Sequence, residues 1–301
     1  MRTLVAVCNL LSRTRFLSIP LILGLSLLTL QVGSGFAQTK FERPIMLDSS
    51  GADLFVVDVS GTLREFHIGQ NHLDEYQHFS LPSTLAPADM SYGTSNGGEF
   101  VLIAGSESGR GTVAMYALDG KILRSWNFRN ICSGIDFDTA SNTAYVATSD
   151  SKEIYRLDTG KSESTYVTRI PDATKLGPLA FDGATQTLYV ADVAAGAIYQ
   201  YSLATKSSKV LVSELSTPTA LSFEPQTGQL YFADPGRRGV FVVDTRSPKP
   251  AVTEFVSSPL RSPYSMARTS GDQLAVADYG AARILIFSGK GALLFKFPPG
   301  N

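Results

Sequence analysis

The side chains able to do acid–base, nucleophilic or metal chemistry are few in this chain, and they are poorly placed for it. His67, His72 and His78 are its only histidines, and they share one short stretch of the 301 residues. Imidazole is the usual general base and a common zinc ligand, and both roles need partners brought from elsewhere in the chain. The two cysteines are Cys8 and Cys132. Cys132 stands in an apolar Ile-Cys-Ser context. It reads as a small buried side chain, since a reactive thiolate needs a His or basic neighbour. No phosphate loop, dinucleotide fingerprint or Cys-x-x-Cys pair occurs.

Carboxylates are more suggestive because they recur. Asp58, Asp192, Asp234 and Asp278 each close an apolar run, most clearly in Leu188-Tyr-Val-Ala-Asp192, Leu230-Tyr-Phe-Ala-Asp234 and Leu274-Ala-Val-Ala-Asp278. Gly105 and Thr148 hold the same place in two further copies. The six markers are separated by 47, 43, 44, 42 and 44 residues. A residue repeated in most copies serves the copy. Asp at a strand end can accept hydrogen bonds from the N–H groups of the following turn.

A period in the forties with about four short β-rich runs per copy predicts propeller blades. Val, Ile, Tyr, Phe and Thr crowd the runs, Gly, Ser, Asp and Asn crowd the gaps, and no run has helical periodicity. The expected fold is all-β: six four-stranded antiparallel blades at about 42–80, 87–128, 133–170, 177–213, 218–256 and 263–297. The first inner strand is expected over residues 43–48. Both termini fall in frame, so ring closure must come from blade six packing on blade one rather than clearly from a swapped strand. The three histidines then lie on the outer strands of blade one, far from the tunnel.

Tyr189-Val-Ala-Asp192 followed by Ala197-Ile198, and Val276-Ala-Asp278 followed by Arg283-Ile284 and Phe287, resemble the repeat unit of the NHL propellers. More distantly, the chain is similar to the six-bladed gluconolactonase and regucalcin group. That second resemblance implies a divalent ion such as calcium in the tunnel, held by a Glu on the first inner strand and Asn or Asp on later ones. Glu42 could take the first place, and Asp89 and Asp136 would have to converge with it. The group's Asn-Gly pairs are absent, and hydroxyls alone bind a hard cation poorly. No cofactor is therefore expected, and the metal belongs to an alternative reading as a lactonase-like hydrolase.

Two departures from the inner-strand pattern are polar. Asp136 replaces Ala180 and Ser222, and Arg268 replaces Phe181 and Phe223. Blades three and six face each other across a ring of six, so this pair could mark a polar tunnel floor. A second cluster lies on the face formed by the loops after strands two and four. Arg237, Arg238, Arg261 and Arg283 fall there, with Tyr264 beside them. Convergent guanidinium groups and an aromatic surface at a tunnel mouth suit an anionic ligand or partner. Exposed loop charges of this kind contribute little to folding.

Formal net charge is −1, which gives no global field for nucleic acid or an anionic membrane. Arg2, Arg13 and Arg15, an apolar run over 16–30 and Gly35-Phe36-Ala37 read as a signal peptide over 1–37, with cleavage before Gln38. A retained anchor is the other reading of that segment. The expectation is an exported protein, periplasmic or extracellular, without a stable membrane span after cleavage. It would be a non-catalytic propeller presenting its basic rim to an unknown protein or small anionic ligand.

Overall fold

The structure is a computed structural model that describes residues 41–298 apart from residue 96. The expected leader lies outside the described residues. Twenty-four strands form six antiparallel sheets of four, each in the order first to fourth along the chain. The blades are β1–β4 (Pro44–Ser50, Asp53–Asp58, Thr62–Ile68, Leu73–Ser80) and β5–β8 (Leu85–Ser95, Gly98–Glu107, Arg110–Ala117, Ile122–Phe128). Next come β9–β12 (Cys132–Asp138, Thr143–Thr148, Glu153–Asp158, Ser164–Arg169) and β13–β16 (Leu176–Asp182, Thr187–Asp192, Ala197–Ser202, Ser207–Val212). The ring ends with β17–β20 (Ala220–Glu224, Gln229–Asp234, Gly239–Asp244, Val252–Val256) and β21–β24 (Pro263–Thr269, Gln273–Asp278, Arg283–Ser288, Leu293–Phe297). Single 3-10 turns at Pro235–Arg237 and Tyr279–Ala281 are the helical pieces among the described residues.

Burial explains the sequence pattern. The second strands β10 and β14 are buried at every residue. Each lies between two neighbouring blades, so it needs apolar side chains on both faces, and alternation disappears. The fourth strands form the outer edge, and β12 has no buried residue. The core is therefore a ring of inter-blade layers. Tyr145 and Ile154 of blade three, for example, pack with Leu179, Leu188 and Val190 of blade four.

Closure uses no swapped strand, because the blade-one and blade-six sheets are separate. Leu47 N donates to Ser265 Oγ at 2.9 Å and Ser270 N donates to Gly51 O at 2.6 Å. Outside them, Phe41 sets its edge against Phe66 and Phe297, and those two rings meet at 5.1 Å. Phe66 is fully buried in this seam. Phe66→Ala is expected to lower the free energy of unfolding by about 3–5 kcal/mol. Urea melts measure this directly, and a loss below about 1 kcal/mol would show a seam able to relax around the cavity.

Two expectations need correction. The first inner strand runs over Pro44–Ser50 rather than 43–48, which places Asp48 inside the strand rather than at its end. His72 lies in the turn between β3 and β4, while His67 and His78 are on those strands, and each has a ring nitrogen within 2.9 Å of a nearby Asp or Glu carboxylate.

Candidate functional site

Asp192, Asp234 and Asp278 are clamps with a wider reach than the turn alone. Asp192 Oδ1 accepts from Ala194 N and Ala195 N of the following turn, at 3.2 and 3.0 Å. It also accepts from Lys175 N at 3.0 Å, while Oδ2 accepts from Thr174 N. The carboxylate thus ties the second strand to the connection that enters its own blade. Asp234 does the same with Ser216 N, Thr217 N and Arg237 N, and Asp278 with Arg261 N and Ser262 N. All four marker aspartates are fully buried. In blade two the connection comes closer still: a Cβ on Gly105 would lie 2.3 Å from Ala86 O. No side chain fits there, which accounts for the missing Asp.

The tunnel holds three more carboxylates. Asp48, Asp89 and Asp136 border a central cavity of about 230 Å3, and Arg268 borders it too. Each bridges two blades. Oδ1 of each accepts from the next residue's own N–H. Oδ2 of Asp48 accepts from Tyr92 N, that of Asp89 from Ile135 N at 3.0 Å, and that of Asp136 from Phe181 N at 2.7 Å. Ser91 Oγ accepts from Phe137 N at 3.1 Å in the same manner. These staples run from blade one to blade four. Burial raises the carboxyls of Asp48, Asp89 and Asp136 to about 6, 8 and 7, more strongly than the backbone N–H groups lower them. Repulsion among the three raises Asp89 and Asp136 further.

Glu42 lies before β1 and does not border the cavity, so the set Glu42, Asp89, Asp136 does not assemble there. Asp48 is the third carboxylate, at the inner-strand place of Asp136: it faces Phe55 across the ladder as Asp136 faces Tyr145. Arg268 borders the same central cavity as Asp136, and it is also held by partners on its own and the preceding blade. Its Nε bonds Glu224 at 3.0 Å, its Nη2 bonds Asp272, and its guanidinium lies 5.0 Å from the Tyr231 ring. The equivalent residues of other blades explain this. Tyr92 stacks on Phe55, Phe137 meets Phe100, Phe181 meets Tyr145 and Phe223 meets Tyr189, each on the preceding blade. Arg268 keeps that stacking place with a cation on an aromatic face.

At the other mouth, the face carrying the loops after strands two and four, the geometry differs. A funnel of about 290 Å3 takes its wall from all six blades. Tyr264, 41 % exposed, stands on its edge and meets Tyr279 at 5.8 Å between centroids, with Arg43 over the Tyr279 ring. Arg237, Arg238 and Arg261 are exposed on the same face, and the Arg237 guanidinium lies 4.1 Å from the Phe241 ring. Arg283 is held differently. It bonds the buried Asp278 at 3.0 Å and donates to Pro259 O at 2.6 Å, so it belongs to the blade-six clamp.

No protein-family model matches the chain, and no curated protein does. Solved structures match by fold. The chain resembles one in a nidogen/laminin complex at a TM-score of 0.66 and 14% identity, covering 80% of this chain and 91% of that one. It resembles an auxiliary nutrient binding protein from Bacteroides thetaiotaomicron at 0.63 and 14%, over 81% and 68% of the two chains. A Bacteroides thetaiotaomicron protein of unknown function matches at 0.62 and 13%, over 81% and 69%. The likeness establishes the six-bladed propeller.

Chemically, the two ends of the tunnel differ. The staple carboxylates have both oxygens engaged by backbone N–H groups, and their first role is to hold blades together. Cys132 is fully buried and its thiol is pushed up to about 12 by that burial, which removes it as a nucleophile. The funnel mouth offers hydroxyls, an ammonium group and apolar walls open to solvent.

Proposed function

We propose that this chain is an exported, non-catalytic propeller that receives an anionic ligand or protein on the face carrying Arg237, Arg238, Arg261 and Tyr264. One observation carries the reading: a funnel walled by six blades opens on the face where those exposed cations lie. A pocket at a ring centre with a cationic border is a natural site for convergent contacts. The same fold in an auxiliary nutrient binding protein, and in a chain of a nidogen/laminin complex, is in keeping with it. Export rests on the leader pattern over 1–37. Among the described residues no helix is long and apolar enough to cross a membrane.

Arg237→Ala/Arg238→Ala/Arg261→Ala is expected to leave the melting temperature nearly unchanged. Arg283 is left out of the variant because its loss would strand the buried Asp278. Titration with a short polyglutamate peptide should show salt-sensitive binding by the wild type, weakened about tenfold in the variant, or about 1.4 kcal/mol. Equal binding by both proteins at low salt would remove the rim from the site.

The lactonase-like hydrolase remains the alternative, and the carboxylates around the central cavity are what favour it. Both oxygens of each already accept backbone N–H groups, so a calcium ion would have to compete with the blade staples. Calorimetric titration with calcium is expected to give no stoichiometric binding. Binding that is lost on Asp89→Asn would move the alternative ahead.

A further inference from the structure

Resting on the binding face just described, we infer that the funnel is a site for a small organic monoanion, a carboxylate on an apolar or aromatic body. Lys175 is the one charged residue among those forming its wall. The backbone N–H of Lys175 is fixed by the Asp192 clamp, and its exposed ammonium group has no ion-pair partner among the described residues. A lysine anchored at its backbone and free at its tip presents a positioned cation.

Thr219 stands on the adjacent blade, just before β17, and also borders the funnel. Its hydroxyl is buried and has no hydrogen-bond partner among the described residues. An unmet buried hydroxyl is unfavourable by roughly 1–3 kcal/mol. One carboxylate seated between blades four and five can take a hydrogen bond from each: the Lys175 ammonium donates to one oxygen and the Thr219 hydroxyl, after a rotamer change, to the other. Much of the remaining wall is apolar, with Met46 and Pro87 on blades one and two and Pro178 and Val193 beside Lys175 on blade four, and the Tyr264 ring borders the funnel to cover a planar body.

The same wall disfavours other ligand classes. A second negative charge finds no second cation inside the funnel. Inorganic phosphate would leave the apolar surface in contact with water, and an uncharged hydrocarbon would leave Lys175 unused.

The test is calorimetric titration of the mature chain with phenylacetate, 2-phenylethanol and inorganic phosphate. Phenylacetate is expected to bind at least about tenfold more tightly than the alcohol, a difference of about 1.4 kcal/mol, and phosphate not to bind measurably. Lys175→Met should erase the preference of acid over alcohol. Thr219→Val should weaken phenylacetate severalfold, with no loss of melting temperature because the residue loses only an unpartnered hydroxyl. Equal affinity for acid and alcohol in the wild type, a preference that survives in Lys175→Met, or no phenylacetate binding at millimolar concentration would each overturn the inference. If phenylacetate fails while polyglutamate still binds through Arg237, Arg238 and Arg261, the face is a binding face and the funnel is not its pocket. If both fail, the binding face falls with it.

Discussion

Asp192→Ala is expected to destabilise the propeller by about 3–5 kcal/mol, and so to lower its melting temperature by about 10 °C. The side chain is fully buried and accepts from four backbone N–H groups, two on the entry to blade four and two on the following turn. Truncation leaves those four donors without their shared acceptor. A buried donor left unmet is costlier than a hydrogen bond never made. Asp192→Asn keeps one oxygen and should lose roughly half as much. Asp150, exposed on the same face, supplies the control: its alanine variant should stay within about 0.5 kcal/mol of wild type. Thermal melts at constant pH measure all three. A small loss for Asp192→Ala would mean that the apolar layers alone hold the blade entry in place.

The clamp shows what a sequence makes legible. Four aspartates at one place in a repeat announced a role in the blade, and Leu-Tyr-Val-Ala-Asp runs announced strands buried on both faces. The turn half of the Asp192 and Asp234 clamps followed from local geometry. The other half did not, because Thr174 and Lys175 reach Asp192 only once blade four has folded back on itself. The same limit applies in the tunnel. Asp136 stood out against Ala180 and Ser222, but Asp48 was hidden by an inner strand placed two residues short at its end. Arg268 stood out as a polar residue bordering the tunnel, but its comparison with two phenylalanines left out the partner that those rings meet. The stacking of Phe181 on Tyr145 and Phe223 on Tyr189 supplies that partner, and Tyr231 is waiting for Arg268. By sequence Lys175 is one of several cations in the loops of this face and Thr219 only the start of an inner strand. Their meeting at the funnel depends on the ring bringing the starts of adjacent blades together.

The tunnel staples lead to the second large effect: the protein should be more stable at pH 5 than at pH 8. Asp48, Asp89 and Asp136 are raised from 3.8 to about 6, 8 and 7, chiefly because burial penalises their ionised forms. The folded state therefore holds protons that the unfolded state has already released. Stability from these groups is fully present below about pH 4, falls as pH rises above that, and is lost once pH has passed through the folded values of about 6, 7 and 8. Each unit of difference is worth about 1.4 kcal/mol. With water in the tunnel screening part of it, a net change of a few kcal/mol is expected, or roughly 5–10 °C in melting temperature. Arg268 also borders the cavity, but Glu224 and Asp272 already pair with its guanidinium. Asp89→Asn separates this cause from the rest of the titration. The amide keeps one staple contact and sets an N–H donor against the other, so the variant should be weaker than wild type at pH 5. At pH 9, where wild-type Asp89 is ionised, the two proteins should converge. Melting curves that stay parallel across that range would show that Asp89 titrates near its ordinary value, and that the staple is an ionised carboxylate throughout.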